Sequence, residues 1–196
     1  MTKRIFDIVF SLAGLVVLSP VFIIIALVIK SDSKGPVFFI QSRVGRNNRD
    51  FRLLKFRTMK TDSDRSGLLT VGDRDPRITS SGIFLRKYKL DELPQLFNVL
   101  KGEMSFVGPR PEVRKYVDLY NEDQMKVLLV KPGITDLASI KYRNENELLS
   151  STEDPEGMYT KEIMPDKIKI NSGYISDRSL LKDIKIILKT LKAVIS

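Results

Sequence analysis

The chain opens with a long apolar run. Ile8 to Ile29 contains 22 residues without a charged side chain, and as one straight helix it would measure about 33 Å, enough for a bilayer core of ~30 Å. Pro20 lies near the middle of the run, lacks a backbone N–H and clashes with the preceding turn. The pattern therefore predicts a helix with a kink at Ser19-Pro20.

Two topologies fit this run, a plain membrane-spanning anchor and a re-entrant hairpin that enters and leaves by the same face. Basic residues flank both ends, with Lys3 and Arg4 before the run and Lys30 and Lys34 after it. The positive-inside tendency keeps both flanks in the cytoplasm and favours the hairpin, while the anchor stays open. We divide the chain into a membrane segment, 1–34, and a cytosolic domain, 35–196.

The next pattern predicts a β-hairpin. Val37 to Ile40 and Phe51 to Thr58 are extended-looking runs on either side of a polar, glycine-containing turn. Lys55 and Arg57 are two residues apart in the second strand and would share a face. Residues 61–80, rich in Asp, Ser, Gly and Thr, predict a loop.

Helical patterns occupy most of the remainder. A short helix is predicted from near Glu92 to a cap at Gly102, with Pro94 in its first turn and an apolar stripe of Leu93, Leu96, Phe97 and Leu100. A second helix is predicted from Glu112 to Val130, and a polar break over residues 150–160.

The tract from Ser179 to Ile195 is amphipathic, with aliphatic residues at three- and four-residue spacing and lysines on the other side. Such a helix fits a membrane interface, although packing on the protein's own core is an equal alternative. The predicted fold is α+β and mostly helical: a re-entrant helix-break-helix, a small β-hairpin and a cytosolic domain with amphipathic interfacial helices.

Charge changes this picture by indicating the partners. The net charge is +9, and residues 1–60 hold eleven basic side chains against three acidic ones. Such a surface attracts nucleic acid, anionic lipid or a phosphorylated substrate. The chain has no recognisable nucleic-acid module and no basic surface interleaved with aromatic residues, so nucleic acid is not an expected partner.

The absence of Cys and His narrows the chemistry. It excludes disulfides, thiolate zinc sites, cysteine nucleophiles and histidine bases. A carboxylate, Lys, Tyr, Ser or Thr must do any acid-base or nucleophilic work, and any metal is expected to be Mg²⁺ held by oxygen.

The segment from Leu90 to Pro111 combines adjacent carboxylates, Asp91 and Glu92, with an arginine fixed between two prolines, Arg110. Acids and a rigid arginine in one segment indicate a site that binds phosphate with a metal. A plainer interpretation is that acids in a first helical turn add roughly 0.3–1 kcal/mol of stability, and that charges on strands are solvated.

Several motifs together resemble the small monotopic phosphoglycosyl transferases, the bacterial sugar transferase family. They are KRIFDI with the kinked apolar run, GPVFFIQSRVGRNNRDFRLLKFRTM, LDELPQLFNVLKGEMSFVGPRP and KPGIT. The resemblance implies transfer of a sugar 1-phosphate from a UDP-sugar to a polyprenyl phosphate such as undecaprenyl phosphate. The products would be a polyprenyl diphosphate-linked sugar and UMP, made at the cytoplasmic face of the bacterial inner membrane as the first membrane step of glycan assembly.

The resemblance also assigns roles. Asp91 would be the nucleophile of a ping-pong reaction and a ligand of Mg²⁺, and Glu92 would act beside it, for example as a general base. The residues expected to bind substrate phosphates are Arg110, Lys55, Arg57, Arg43 and Arg143. The chain departs from the commoner pattern at Asp136, where many relatives have Gly, and at Asn171, where several have Asp.

A membrane-anchored basic adaptor that binds anionic lipid without catalysis is the alternative function. It would not need adjacent carboxylates or the rigid Pro-Arg-Pro triplet. The donor sugar and the oligomeric state, including a homodimer, stay open.

Overall fold

The computed structural model describes residues 2–61, 72 and 75–195. It has a mostly helical α+β fold with two small sheets, which confirms the α+β, mostly helical part of the predicted fold class. In the described parts the helices are α1 Thr2–Val17, α2 Ser19–Asp32, α3 Ser80–Lys87, α4 Gln95–Lys101, α5 Arg114–Val117, α6 Glu122–Met125, α7 Leu137–Lys141, α8 Glu145–Ser150, α9 Pro155–Met158, α10 Met164–Ser176 and α11 Leu180–Ile195. The strands are β1 Phe38–Val44, β2 Asp50–Phe56, β3 Ser105–Val107 and β4 Gly133–Thr135.

The predicted kink is confirmed. Helices α1 and α2 are bent by 59°, and α2 begins at Ser19 with Pro20 in its first turn. Among the described residues no single helix is both long and apolar enough to cross a bilayer, whereas this bent pair meets the criterion by length and composition. Large apolar side chains are exposed along the pair, including Val9, Phe10, Leu12, Val16, Val17, Ile23, Ile24 and Leu27.

Helix α1 is also bonded to the segment that follows α4. Asp7, buried within α1, accepts hydrogen bonds from Ser105 Oγ at 3.0 Å and from the backbone N–H of Phe106 at 3.2 Å. Arg4 donates to the backbone carbonyls of Val99 at 2.6 Å and Leu100 at 2.8 Å. Since the last carbonyls of a helix have no partner within it, Arg4 satisfies the end of α4.

The predicted β-hairpin is confirmed with different bounds. β1 and β2 pair antiparallel from Phe38 opposite Phe56 to Val44 opposite Asp50, so β1 extends beyond Ile40 and β2 ends before Thr58. The parallel pair of β3 and β4 was not predicted, because three-residue strands carry almost no periodic signal.

The single helix predicted from Glu112 to Val130 is wrong. The segment forms α5, α6 and a 3₁₀ turn, Lys126–Leu129. Asn121 causes the break: its side chain accepts from the N–H of Gln124 while the Gln124 side chain accepts from the N–H of Asn121. This capping box starts a new helix in the middle of the predicted one.

The polar break over 150–160 is shorter than predicted. Asp154 accepts a hydrogen bond from the N–H of Gly157 at 2.8 Å, and Pro155 begins α9. Proline is well suited to a first helical position, so the helix resumes within the predicted break. Most of the loop predicted over 61–80 lies outside the described residues; within it, α3 begins at Ser80.

The predicted C-terminal helix is confirmed as α11. One side of it packs on the protein core and another side is exposed. Asp183 and Ile186 are buried against the core, where the hydroxyl of Tyr174 donates to Asp183 at 2.6 Å. Leu181 and Leu188, on another side of the helix, are 73% and 60% exposed. The helix therefore packs on the protein and still presents an aliphatic stripe outward.

Candidate active site

The two adjacent carboxylates lie just before α4 rather than in its first turn. Asp91 and Glu92 occupy a separate 3₁₀ turn, and α4 begins at Gln95. Pro94 is the cause, because it has no N–H to donate to the carbonyl of Leu90, and the backbone keeps i→i+3 bonds there. The two acids therefore lie in the first turn of this 3₁₀ segment and precede α4.

Glu92 is held by two cations. Arg110 donates to both of its carboxylate oxygens, at 2.5 and 3.2 Å, and Lys55 Nζ lies 3.1 Å from Oε1. Burial works to raise the pKa of Glu92, but the charges of Arg110 and Lys55 outweigh it and hold that pKa well below its usual range. Glu92 is therefore a stably ionised carboxylate that fixes Lys55 and Arg110.

Asp91 has the opposite environment. It is 6% exposed, and its Oδ1 is buried without a hydrogen-bond partner. Burial raises the pKa of Asp91, and the charge of Lys55 offsets only part of that rise. Since buried carboxylate oxygens are normally paired, Oδ1 is an acceptor with an open position for a donor or a cation.

The backbone leading into the carboxylates is strained. Lys89 has a φ of 55°, in the left-handed region that L-residues with a side chain rarely adopt. Such outliers persist where the surrounding structure enforces them and they concentrate at functional sites. Lys89 marks the start of the rigid turn that carries Asp91 and Glu92.

An open cleft of about 880 Å³ surrounds the acid pair. All seven site residues predicted from the sequence line it: Asp91, Glu92, Lys55, Arg57, Arg43, Arg110 and Arg143. The structure thus brings the candidate residues into one cavity. Two of them, Lys55 and Arg110, contact Glu92 directly.

Arg57 and Arg43 have structural contacts of their own. Arg57 donates to the carbonyls of Ser33, at 2.8 Å, and Lys34, so it ties the cleft to the end of α2. Arg43 donates to Gln41 Oε1 at 2.8 and 3.0 Å and to the carbonyl of Pro111 at 3.0 Å. These bonds hold both guanidinium groups in the cleft wall.

The fit of a divalent cation rests on Asp91. In the described parts of the chain no three acidic side chains cluster closely enough to hold a metal by themselves. Mg²⁺ in phosphate-processing sites is usually bound by one or two carboxylates together with substrate phosphate oxygens. The unpartnered Oδ1 of Asp91 is an oxygen ligand of that kind.

The sequence patterns missed several residues in the cleft wall, Glu112, Glu145, Tyr159 and Lys167 among them. None of these residues belongs to a motif that the sequence singled out, and Tyr159 falls within the predicted polar break. Asp7 was missed as well, although a signal existed: Lys3 and Asp7 are four residues apart, so they share a face of an otherwise apolar helix.

Comparisons with known proteins show the family of the chain. The model of the family described as bacterial sugar transferase matches residues 1–196. The UDP-N-acetylgalactosamine-undecaprenyl-phosphate N-acetylgalactosaminephosphotransferase of Aeromonas hydrophila is 38% identical and covers 99% of this chain and 44% of its own length. The undecaprenyl-phosphate glucose phosphotransferase of Komagataeibacter xylinus is 41% identical over 97% of this chain and 35% of its own length.

The chain thus spans less than half the length of these two relatives. The exopolysaccharide production protein ExoY of Sinorhizobium fredii is nearer in size: it is 34% identical over 98% of this chain and 85% of its own length. The match of the family model over the whole chain, with high identity to several relatives, settles the classification. The chain belongs to the bacterial sugar transferase family.

Proposed function

We propose that this protein transfers a sugar 1-phosphate from a UDP-sugar to undecaprenyl phosphate or a similar polyprenyl phosphate. The names of two relatives state an undecaprenyl-phosphate sugar phosphotransferase activity for those proteins. One observation carries the proposal to this chain: a buried carboxylate oxygen without a partner, on Asp91, lies in a cleft beside the Lys55–Glu92–Arg110 cluster. In this arrangement Lys55 and Arg110 bind the diphosphate of the donor, and the Asp91 carboxylate is available to react with it.

Asp91 acts as the nucleophile of a two-step reaction. Its carboxylate oxygen attacks the phosphorus nearest the sugar, the bond from that phosphorus to the bridging oxygen breaks, and UMP leaves. An oxygen of the lipid phosphate then attacks the same phosphorus, breaks the acyl-phosphate bond and regenerates the carboxylate. This route divides one difficult displacement into two easier ones.

Glu92 positions the cations in this scheme. Its depressed pKa makes it a weak proton acceptor near neutral pH. A phosphate monoester with a second pKa of about 6 is largely ionised at neutral pH, so the acceptor needs little help from a base. Its contacts with Arg110 and Lys55 therefore favour an orienting role over that of a general base.

Mg²⁺ is the proposed cofactor, with Asp91 among its ligands. When bound, it would neutralise charge on the donor's diphosphate. Lys55 and Arg110 supply fixed positive charge at the same place, and Arg57, Arg43 and Arg143 extend it along the cleft. These side chains orient the phosphates and need no reorganisation during the reaction.

The apolar surfaces support a membrane location. Many large apolar side chains are exposed along α1 and α2, as at surfaces that bind a membrane or a partner, and the 59° bend fits a re-entrant hairpin. The exposed stripe of α11 lies beside lysines, as in helices that rest in a membrane interface. We place the cleft at the cytoplasmic face of the bacterial inner membrane, where soluble donor and lipid acceptor meet.

The test uses Asp91→Asn in the full chain, reconstituted with undecaprenyl phosphate, Mg²⁺ and UDP-N-acetylgalactosamine or UDP-glucose. UMP release is expected to fall to background, with an unchanged circular dichroism spectrum. Asp118→Asn, at an exposed acid paired with Arg114, is the matched control and is expected to keep normal turnover. Normal UMP release by Asp91→Asn would refute the proposed nucleophile.

The covalent intermediate has its own test. Wild-type protein with donor and no lipid is expected to gain the mass of one phosphosugar, and Asp91→Asn is not. Rapid turnover without that species in any quench would favour a single displacement instead.

A further inference from the structure

Helices α8 and α10 supply a part of the cleft wall that the proposed chemistry leaves unused. Glu145, in α8, and Lys167, in α10, both line the cleft that holds Asp91. They form an ion pair, and their side chains are only 23% and 15% exposed. Exposed ion pairs contribute little because their long side chains stay mobile, whereas this pair is largely enclosed.

Two aromatic rings hold Lys167 in place. Its Nζ lies 5.2 Å from the ring centroid of Tyr159 and 5.8 Å from that of Tyr142. Both distances are within the range of cation–π attraction. The ammonium and the Glu145 carboxylate are thus ordered before any ligand binds, which lowers the entropic cost of binding one.

An unusual helical segment delivers Tyr159 to this wall. Residues Tyr159–Ile163 form a π-helical turn between α9 and α10, a rare conformation that is frequent at functional sites. The hydroxyl of Tyr159 donates to Glu112 Oε1 at 2.5 Å, and Glu112 Oε2 lies 3.6 Å from Arg43 Nη1. This chain of contacts connects Lys167 with the segment that carries Arg110.

The position of the wall indicates which substrate it serves. The acceptor's hydrocarbon tail stays in the membrane, so its phosphate approaches from the hairpin, where Arg57 binds the end of α2. Helices α1 and α2 pack against α4 and α3, whereas α10 packs against α7 and α8 packs against α9. The wall formed by α8 and α10 is therefore available to the soluble donor.

The chemistry of the pair matches the donor outside its diphosphate. A UDP-sugar presents neighbouring hydroxyl groups on both its hexose and its ribose. A carboxylate accepts hydrogen bonds from hydroxyl groups, and an ammonium donates to their oxygens. An ordered pair of the two can therefore bind a diol.

We propose that Glu145 and Lys167 form a diol-binding subsite that sets the protein's affinity for its donor. The inference rests on the proposed function. It differs from a plain structural role, in which the ion pair only joins α8 to α10, because a structural pair would affect stability and leave donor affinity unchanged.

The experiment compares Glu145→Gln with Lys115→Gln in the full, reconstituted protein. Lys115 pairs with Glu156 and lies outside the residues that line the cleft, so it controls for the loss of a Lys–Glu pair. Glu145→Gln is expected to raise the KM for UDP-N-acetylgalactosamine or UDP-glucose about tenfold, as for loss of a charged hydrogen bond. The kcat and the KM for undecaprenyl phosphate are expected to stay within about twofold of wild type, and Lys115→Gln to change neither donor KM.

Inhibition by UDP, which has a ribose and no hexose, separates the two diols. An unchanged UDP inhibition constant in Glu145→Gln places the subsite on the hexose, and a constant weakened in parallel with the KM places it on the ribose. The inference would be overturned if Glu145→Gln had the same donor KM as Lys115→Gln. If Glu145→Gln does not fold, Glu145→Asp takes its place, and the same result would overturn the inference. Absence of UMP release by wild-type protein would refute the proposed function instead.

Discussion

Neutralising the two adjacent carboxylates is expected to change stability in opposite directions. Asp91→Asn and Glu92→Gln are near-isosteric changes at neighbouring buried positions, so differences between them report the environment of each charge. The pKa of Glu92 lies below its usual value, so its ionised form stabilises the fold at neutral pH. The pKa of Asp91 lies above its usual value, so its ionised form destabilises the fold.

The contacts set the magnitudes. Glu92→Gln leaves Arg110 and Lys55 without the carboxylate that they share, and removal of one partner from a buried ion pair costs about 3–5 kcal/mol. In a chain of this size each kcal/mol of lost stability lowers the Tm by about 2–4 °C, so the Tm of Glu92→Gln is expected to fall by at least ~6 °C. Asp91→Asn removes the charge of a buried carboxylate whose Oδ1 has no hydrogen-bond partner. The change is expected to raise the free energy of unfolding by about 1 kcal/mol and the Tm by roughly 2–4 °C.

The assay is thermal unfolding followed by circular dichroism, in lipid nanodiscs with EDTA and without donor. Both variants are expected to lose UMP release, so activity does not distinguish them while Tm does. A loss of stability in Asp91→Asn as large as that in Glu92→Gln would refute the reasoning, since it would require a strong partner for Asp91. Added Mg²⁺ is expected to raise the Tm of wild type and to have less effect on Asp91→Asn.

The remaining predictions use the absence of natural cysteines, which makes single-cysteine labels specific. A membrane-impermeant label at Thr2→Cys is expected to react in inverted vesicles, which expose the cytoplasmic face, and not in right-side-out vesicles. Reaction from the periplasmic side would favour the membrane-spanning anchor over the re-entrant hairpin. A fluorophore at Leu188→Cys, on the exposed stripe of α11, is expected to be quenched by bromolipids, whereas one at the lysine side, Lys189→Cys, is quenched several-fold less. Equal quenching at the two positions would contradict an interfacial orientation of α11.

The elements that the sequence predicted well have strong local causes. Pro20 bends the N-terminal run because no tertiary contact can restore its missing donor, and Gly102 ends α4 with a φ of 90° that favours glycine. The 16-residue α11 repeats its pattern over several turns. In each case one residue type or a long periodicity determines the outcome.

The elements that were mispredicted depend on short-range competition or on distant partners. Asn121 and Gln124 form a capping box inside an otherwise continuous helical pattern, and Pro155 restarts a helix where its neighbours predict a break. The residues predicted for the site line one cleft, but their contacts with one another were not predicted. That Arg110 contacts Glu92 rather than Asp91 depends on a fold that separates the environments of two adjacent side chains.

The hydrogen bonds from α1 to the segment after α4 also order events during synthesis. Arg4 and Asp7 leave the ribosome long before their partners, which lie 95 residues later for Val99 and 98 residues later for Ser105. The turn carrying Asp91 and Glu92 is continuous with α4, whose far end Arg4 satisfies. We therefore expect the turn that carries Asp91 and Glu92 to reach its final geometry only after α1, which is synthesised first, has docked on the end of α4.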